Sequence, residues 1–173
     1  MKKLLALLLL SPLAFADIGN WSKSFYVDDF GDKTNKGFIS QTVKGKFSNS
    51  ATQNSRLRVR MYINNADVME NTPWFRLYEY DGRNPIKGVY SRNGMSCRIK
   101  NQDNIISRLP ITQYQGEDYF ALSGKKNIKM FKELIVNEGT ASFVCIDDNS
   151  STSKYMFKFD FKSYMNMLKQ FSE

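Results

Sequence analysis

Histidine is absent from the 173 residues. That excludes Ser-His-Asp and Cys-His catalysis in their usual forms, and it excludes imidazole ligation of zinc or copper. Cysteine occurs only twice, as Cys97 and Cys145. No C-x-x-C spacing and no activating neighbour marks either as a redox centre. Long apolar runs are missing after the first residues, so no later segment supplies the roughly 20 residues a spanning helix needs. No glycine-rich phosphate loop, internal repeat, low-complexity tract or linker is visible. Nothing in the sequence calls for a cofactor or a metal.

What is present begins with the N-terminus. Met1-Lys2-Lys3 is positive, Leu4 to Leu10 is apolar without a break, and Ser11-Pro12 interrupts the run. Ala14-Phe15-Ala16 then offers small residues two apart, as a signal peptidase requires. This three-part pattern predicts a signal peptide over 1–16, with cleavage near Ala16 and Asp17. Residues 17–173 then form one exported domain, placed in the periplasm, with passage beyond the outer membrane as a further option. The formal net charge is +8, and it falls to +6 once Lys2 and Lys3 leave. A basic surface favours acidic partners, whether lipid, lipopolysaccharide or a protein face. Export argues against nucleic acid.

Export also changes how the cysteines read. Two cysteines in an exported chain usually pair. A Cys97–Cys145 bridge closes a loop worth about 4 kcal/mol in loop-closure entropy.

The patterning is mainly β. Leu57, Val59, Met61 and Ile63 alternate with Arg56, Arg58 and Arg60, which puts an apolar row inward and an arginine row outward. Strands are also predicted at Phe25–Phe30, Gly37–Phe47, Trp74–Tyr80, Lys87–Tyr90, Met95–Lys100, Ile105–Tyr114 and Tyr119–Leu122. Asn93-Gly94 reads as a hairpin dipeptide. Ala141–Asp147 and Lys154–Phe161 form a further hairpin around Asn149-Ser150-Ser151. One helix is capped by Ser123, carries Ile128, Phe131, Leu134 and Ile135 at helical spacing, and ends at Gly139. A second runs from about Ser163 to Phe171, with Tyr164, Leu168 and Phe171 on one side. Short strands and frequent turns predict an antiparallel β-sandwich or partly open barrel, with one or two short helices in the C-terminal half.

Three sets of residues carry candidate chemistry. Asp28, Asp29 and Asp32 form the densest acidic cluster, and with Glu79, Asp147 or Asp148 they are the carboxylates a hydrolase would use. The cluster lacks the spacing of a calcium loop, and Asp and Gly are ordinary where a strand enters a turn. Arg56, Arg58 and Arg60, with Lys44 and Lys46 nearby, form a candidate anion-binding face. Trp74, Arg76, Tyr78 and Tyr80 form a candidate partner surface, since Tyr, Trp and Arg dominate interface hot spots.

Four strings recur together: Phe25 to Thr34 (FYVDDFGDKT), Gly45 to Ser55 (GKFSNSATQNS), Phe75 to Tyr80 (FRLYEY) and Asn84 to Gly88 (NPIKG). They resemble a group of small exported, uncharacterised bacterial and phage proteins. In those the first string reads more like D-E-F-G-D-P-T-G, from which Lys33 and Asn35 depart. The resemblance spans about residues 21 to 161 and implies an exported β-rich domain without assigned catalytic residues.

The functional expectation is a non-enzymatic periplasmic binding or accessory protein that contacts an envelope protein. A phage- or mobile-element-encoded lysis or superinfection regulator is one form of it. The alternatives are a binder of anionic lipid or lipopolysaccharide, and a hydrolase using Asp28, Asp29 and Asp32.

Overall fold

Alternation of apolar and polar residues runs through most of the chain, and the strands follow it. The computed structural model describes residues 19–64, 73–88, 92–122, 124–136 and 139–169. The expected signal peptide lies outside them, as do Ser123, Phe171 and the side chains of Ile135 and Leu168. Among the described residues nine strands form: β1 (Trp21–Val27), β2 (Lys33–Ser48), β3 (Ser55–Asn64), β4 (Trp74–Glu79), β5 (Arg92–Lys100), β6 (Ile106–Tyr114), β7 (Phe120–Leu122), β8 (Thr140–Asp147) and β9 (Ser150–Asp160). Two helices, α1 (Lys125–Val136) and α2 (Tyr164–Lys169), flank the last hairpin.

The sheet order is β1-β2-β3-β4-β7-β6-β5-β8-β9, and β9 returns to pair with β2. Every strand pairing is antiparallel. The result is a closed eight-stranded barrel running from β2 round to β9, with β1 outside the ring. This corrects the expected sandwich or partly open barrel. The cause lies in β2, whose 16 residues serve two partners along one edge. Its first half pairs with β1, from Gly37↔Phe25 to Gln41↔Trp21. Its last residues pair with β9, from Gly45↔Phe157 to Ser48↔Lys154. Gly45 is what admits β9. A Cβ there would meet the carbonyl oxygen of Met156 and stand 3.0 Å from the Cβ of Phe157. Glycine inside a strand marks such a close backbone approach.

An eight-stranded barrel has an interior that side chains just fill. Leu57, Val59, Met61 and Ile63 point into it, each no more than 1% exposed. Phe75, Phe143, Phe157 and Phe159 meet there, with ring centroids 4.9–6.2 Å apart. Cys97 and Cys145 are directly opposed on β5 and β8 and form the predicted disulfide, inside the barrel.

The two ends of the barrel differ. At the end where β4 begins and β9 finishes, Phe131 of α1 packs edge-on against Phe75 and Phe161, and Tyr164 of α2 packs against Trp21. Trp21 Nε1 and Gln41 Nε2 both donate to the Asp160 carbonyl, at 2.9 and 3.0 Å. The helices therefore plug this end. At the other end, β4 finishes on Glu79, which accepts from the Tyr155 hydroxyl of β9, and the inward residues become polar.

Several local expectations shift. The first strand ends at Val27, and Asp28 to Gly31 form the turn. Asn93 and Gly94 lie inside β5, opposite Gln113 and Thr112, and not in a hairpin turn. At Gly94 an Asp148 carboxylate oxygen occupies the space a Cβ would take. Residues 89–91 are outside the described residues, and of the expected Lys87–Tyr90 strand only an isolated bridge from Gly88 to Gln115 is described. The last hairpin turns more tightly than expected, on Asp148-Asn149.

Candidate functional site: an arginine and aromatic face

Since Leu57, Val59 and Met61 point inward, the intervening residues of β3 must point outward. Register then builds a grid across three strands. Lys46 stands opposite Arg56, Lys44 opposite Arg58, and Thr42 opposite Arg60. On the other side, Arg58 faces Tyr78, Arg60 faces Arg76, and Tyr62 faces Trp74. The two predicted surfaces, Lys44/Lys46/Arg56/Arg58/Arg60 and Trp74/Arg76/Tyr78, are thus one continuous outer face. Tyr80 leaves it. It follows the end of β4 with φ 55°, and its ring packs on Phe47 at the polar end of the barrel.

Tyr62 is the residue that joins the face together, and it belongs to neither predicted set. Its ring lies under Arg60 at 4.8 Å and under Arg76 at 5.3 Å. It is also the centre of an aromatic row: Tyr26–Phe38 at 5.8 Å, Phe38–Tyr62 at 5.5 Å, Tyr62–Trp74 at 5.6 Å and Trp74–Tyr119 at 5.3 Å. The signal for Tyr62 was available, because it continues the parity of Arg56, Arg58 and Arg60. Burial, and then the neighbouring Tyr62, push the Tyr78 phenol above its ordinary range.

The cations are incompletely paired. Arg76 reaches Asp118 at 3.0 Å through Nη2 and 3.1 Å through Nε. Desolvation opposes its charge, but Tyr62 and Asp118 outweigh it and raise its pKa. Arg56 has a looser, exposed contact with Asp81 at 3.6 Å. Arg58 lies over Tyr78 at 4.6 Å and donates to the Gly82 carbonyl at 2.8 Å. Arg60 donates to Ser40 Oγ at 3.1 Å, while its buried Nε has no hydrogen-bond partner. Among the described residues, no carboxylate pairs with Arg58 or Arg60.

The other predicted residues fall elsewhere. Asp28 accepts the backbone N–H of Phe30 and of Asp32, each at 2.9 Å, so its carboxylate organises the exposed β1–β2 turn. Asp29 and Asp32 are exposed in the same turn. Glu79 and Asp147, considered with them as carboxylates, instead share a cavity at the polar barrel end with Tyr155, Asn93 and Gln113. Among the described residues, no group of three or more His, Cys, Asp and Glu converges as a metal site. Among them also, no helix is long and apolar enough to cross a membrane.

No family model matches this chain, and comparison with curated proteins and with solved structures likewise returns no match.

Proposed function

We propose that this chain is an exported, non-enzymatic binding protein of the cell envelope, and that it contacts an acidic partner protein through the outer face of β2, β3 and β4. The observation that carries the reading is a grid of like charges in which Arg58 and Arg60 have no carboxylate partner among the described residues. Like charges directly opposite on neighbouring strands are destabilising. Here Lys44 opposes Arg58, Lys46 opposes Arg56, and Arg60 opposes Arg76. A face that served only solubility would gain stability from acids at some of these positions. An acidic partner supplies them, and half-buried Trp74 and Tyr78 supply the rigid aromatic contact area typical of interface centres, with Tyr62 buried beneath Arg60 and Arg76.

Exposed Lys44, Lys46 and Arg56 favour a second reading, an anionic lipid or lipopolysaccharide surface. The two differ in salt response, because binding by charge alone collapses as salt screens it. The test is capture from periplasmic extract by the immobilised wild-type chain and by Lys44→Glu/Arg58→Glu, with co-sedimentation on anionic vesicles in parallel. A protein captured by wild type at moderate salt and lost in the variant supports the first reading. Vesicle binding that vanishes with salt, with no protein captured, supports the second. Capture that survives the double charge reversal contradicts both.

A further inference from the structure

The barrel end opposite the helices holds a cavity of about 360 Å³, within the roughly 300–1,000 Å³ of small-molecule sites. Its depth is apolar, with Met95 and Phe120 at 1% and 2% exposure. Its wall is polar, and Glu79, Asp147, Asn93 and Gln113 all point inward from four different strands. Apart from the Cys97–Cys145 disulfide and Gln41 at the helix end, the rest of the barrel interior is filled by aliphatic and aromatic side chains. Asn93 and Gln113 are buried, and Glu79 and Asp147 are half-buried at the mouth; buried polar groups need partners, because desolvation penalises them.

Part of the reason is structural. Gln113 Nε2 donates to the carbonyls of Ile86, at 3.0 Å, and Glu117, at 3.1 Å. With the Ile86 N–H on the Leu77 carbonyl at 2.9 Å, these bonds stitch residues 86–88 into the wall where β7 is too short to cover β4. Glu79 and Asp147 are tied down less completely, by one hydrogen bond each. Glu79 receives one hydrogen bond, from the Tyr155 hydroxyl at 2.8 Å. Asp147 receives one, from the Asn149 N–H at 2.8 Å. Neither carboxylate has an ion-pair partner among the described residues. Lys87 reaches the same cavity from its exposed rim without pairing to either.

We infer that this barrel mouth is a binding site for a small organic molecule bearing a primary ammonium group, held between Glu79 and Asp147. An ammonium group has three N–H donors and no acceptor, which matches a cavity whose two carboxylates each hold a single hydrogen bond. The apolar depth formed by Met95 and Phe120 suits a short alkyl chain. The site is distinct from the outer face of β2 to β4, and its occupancy does not depend on that face binding a partner.

The test is titration of the full exported chain with 1,4-diaminobutane, followed by backbone amide NMR, with 1,4-butanediol and calcium chloride as matched controls. The expected result is saturable shifts centred on residues 79, 94, 113 and 147, at least tenfold weaker affinity in Glu79→Gln and in Asp147→Asn, and no saturation with the diol. Arg60→Glu on the outer face should leave the affinity unchanged. Tyr155→Phe, which keeps both carboxylates, should retain binding. Shifts scattered over surface acids, equal affinity in Glu79→Gln, equal affinity for the diol, or calcium saturating the same amides in place of the diamine would each overturn the inference. Should Glu79→Gln fail to fold, shift location and Asp147→Asn decide it.

Discussion

Replacing Gly45 by alanine adds one methyl group to the chain, and the barrel predicts that this is costly. On backbone preference alone the change is favourable, because glycine in a strand is about 0.5–1 kcal/mol worse than alanine. At Gly45 the added Cβ falls on the carbonyl oxygen of Met156, 3.0 Å from the Phe157 Cβ and 3.3 Å from Leu57 Cδ2. Two of those neighbours belong to the β9 backbone or sit directly on it, so they cannot rotate away. Relief requires β9 to draw back from β2 between Gly45↔Phe157 and Ser48↔Lys154, the pairing that closes the ring. Overpacking costs about 1–3 kcal/mol, and each ladder hydrogen bond lost removes about 1 kcal/mol net. With about two such bonds lost, and after subtracting the preference gain, Gly45→Ala should lose about 2–4 kcal/mol. Urea unfolding reads this as a lower midpoint, and hydrogen exchange should quicken first at residues 154–157. A variant as stable as wild type, or more stable by the preference gain alone, would refute the close approach and with it the closed ring.

Removal of the disulfide by Cys97→Ala/Cys145→Ala should cost about 4 kcal/mol for a bridge spanning 48 residues, measured as a drop in Tm, and the unreduced protein should titrate no free thiol. Tyr155→Phe should destabilise by about 1.5–3 kcal/mol because it removes a hydroxyl donating to a carboxylate, whereas Tyr164→Phe should be neutral or stabilising, because the Tyr164 hydroxyl is buried with no partner. Both phenols are pushed above their ordinary range, by burial and, for Tyr155, also by Glu79. Raised folded values mean that their contribution is complete below the unfolded tyrosine value near 10 and is lost as pH rises beyond it. Alkaline unfolding should therefore begin above about pH 10 and move to higher pH in Tyr164→Phe. Lys44→Glu, facing Arg58, should raise stability by about 0.2–1 kcal/mol while weakening partner capture, a split that a purely structural face would not show.

The core of the barrel was legible because its signal is local. Leu57, Val59, Met61 and Ile63 alternate without a break, and the disulfide followed from two cysteines in a chain read as exported. The arginine row was legible for the same reason. The order β4-β7-β6-β5-β8 was not, because antiparallel pairing between distant segments leaves no trace in the spacing of either. Closure was hidden in one residue, Gly45, whose close backbone approach is visible only once β9 is in place. Tyr80 was misplaced because strand parity was extended one residue past the end of β4, to where the backbone turns left-handed. Glu79 and Asp147 were visible as acids, but their common cavity depends on strands that the sequence does not order. Asp28, the most conspicuous acid, organises a turn with its neighbours two and four residues on.

The claim that the outer face of β2 to β4 is the contact surface is tested most directly by photo-crosslinking in intact cells. A photoreactive phenylalanine analogue at Trp74 should yield a discrete adduct with an envelope protein. The same analogue at Arg98, exposed on β5, should not. The Trp74 adduct should disappear when Lys44→Glu and Arg58→Glu are added. An adduct formed equally from Arg98, or one that persists through the double charge reversal, would contradict the account.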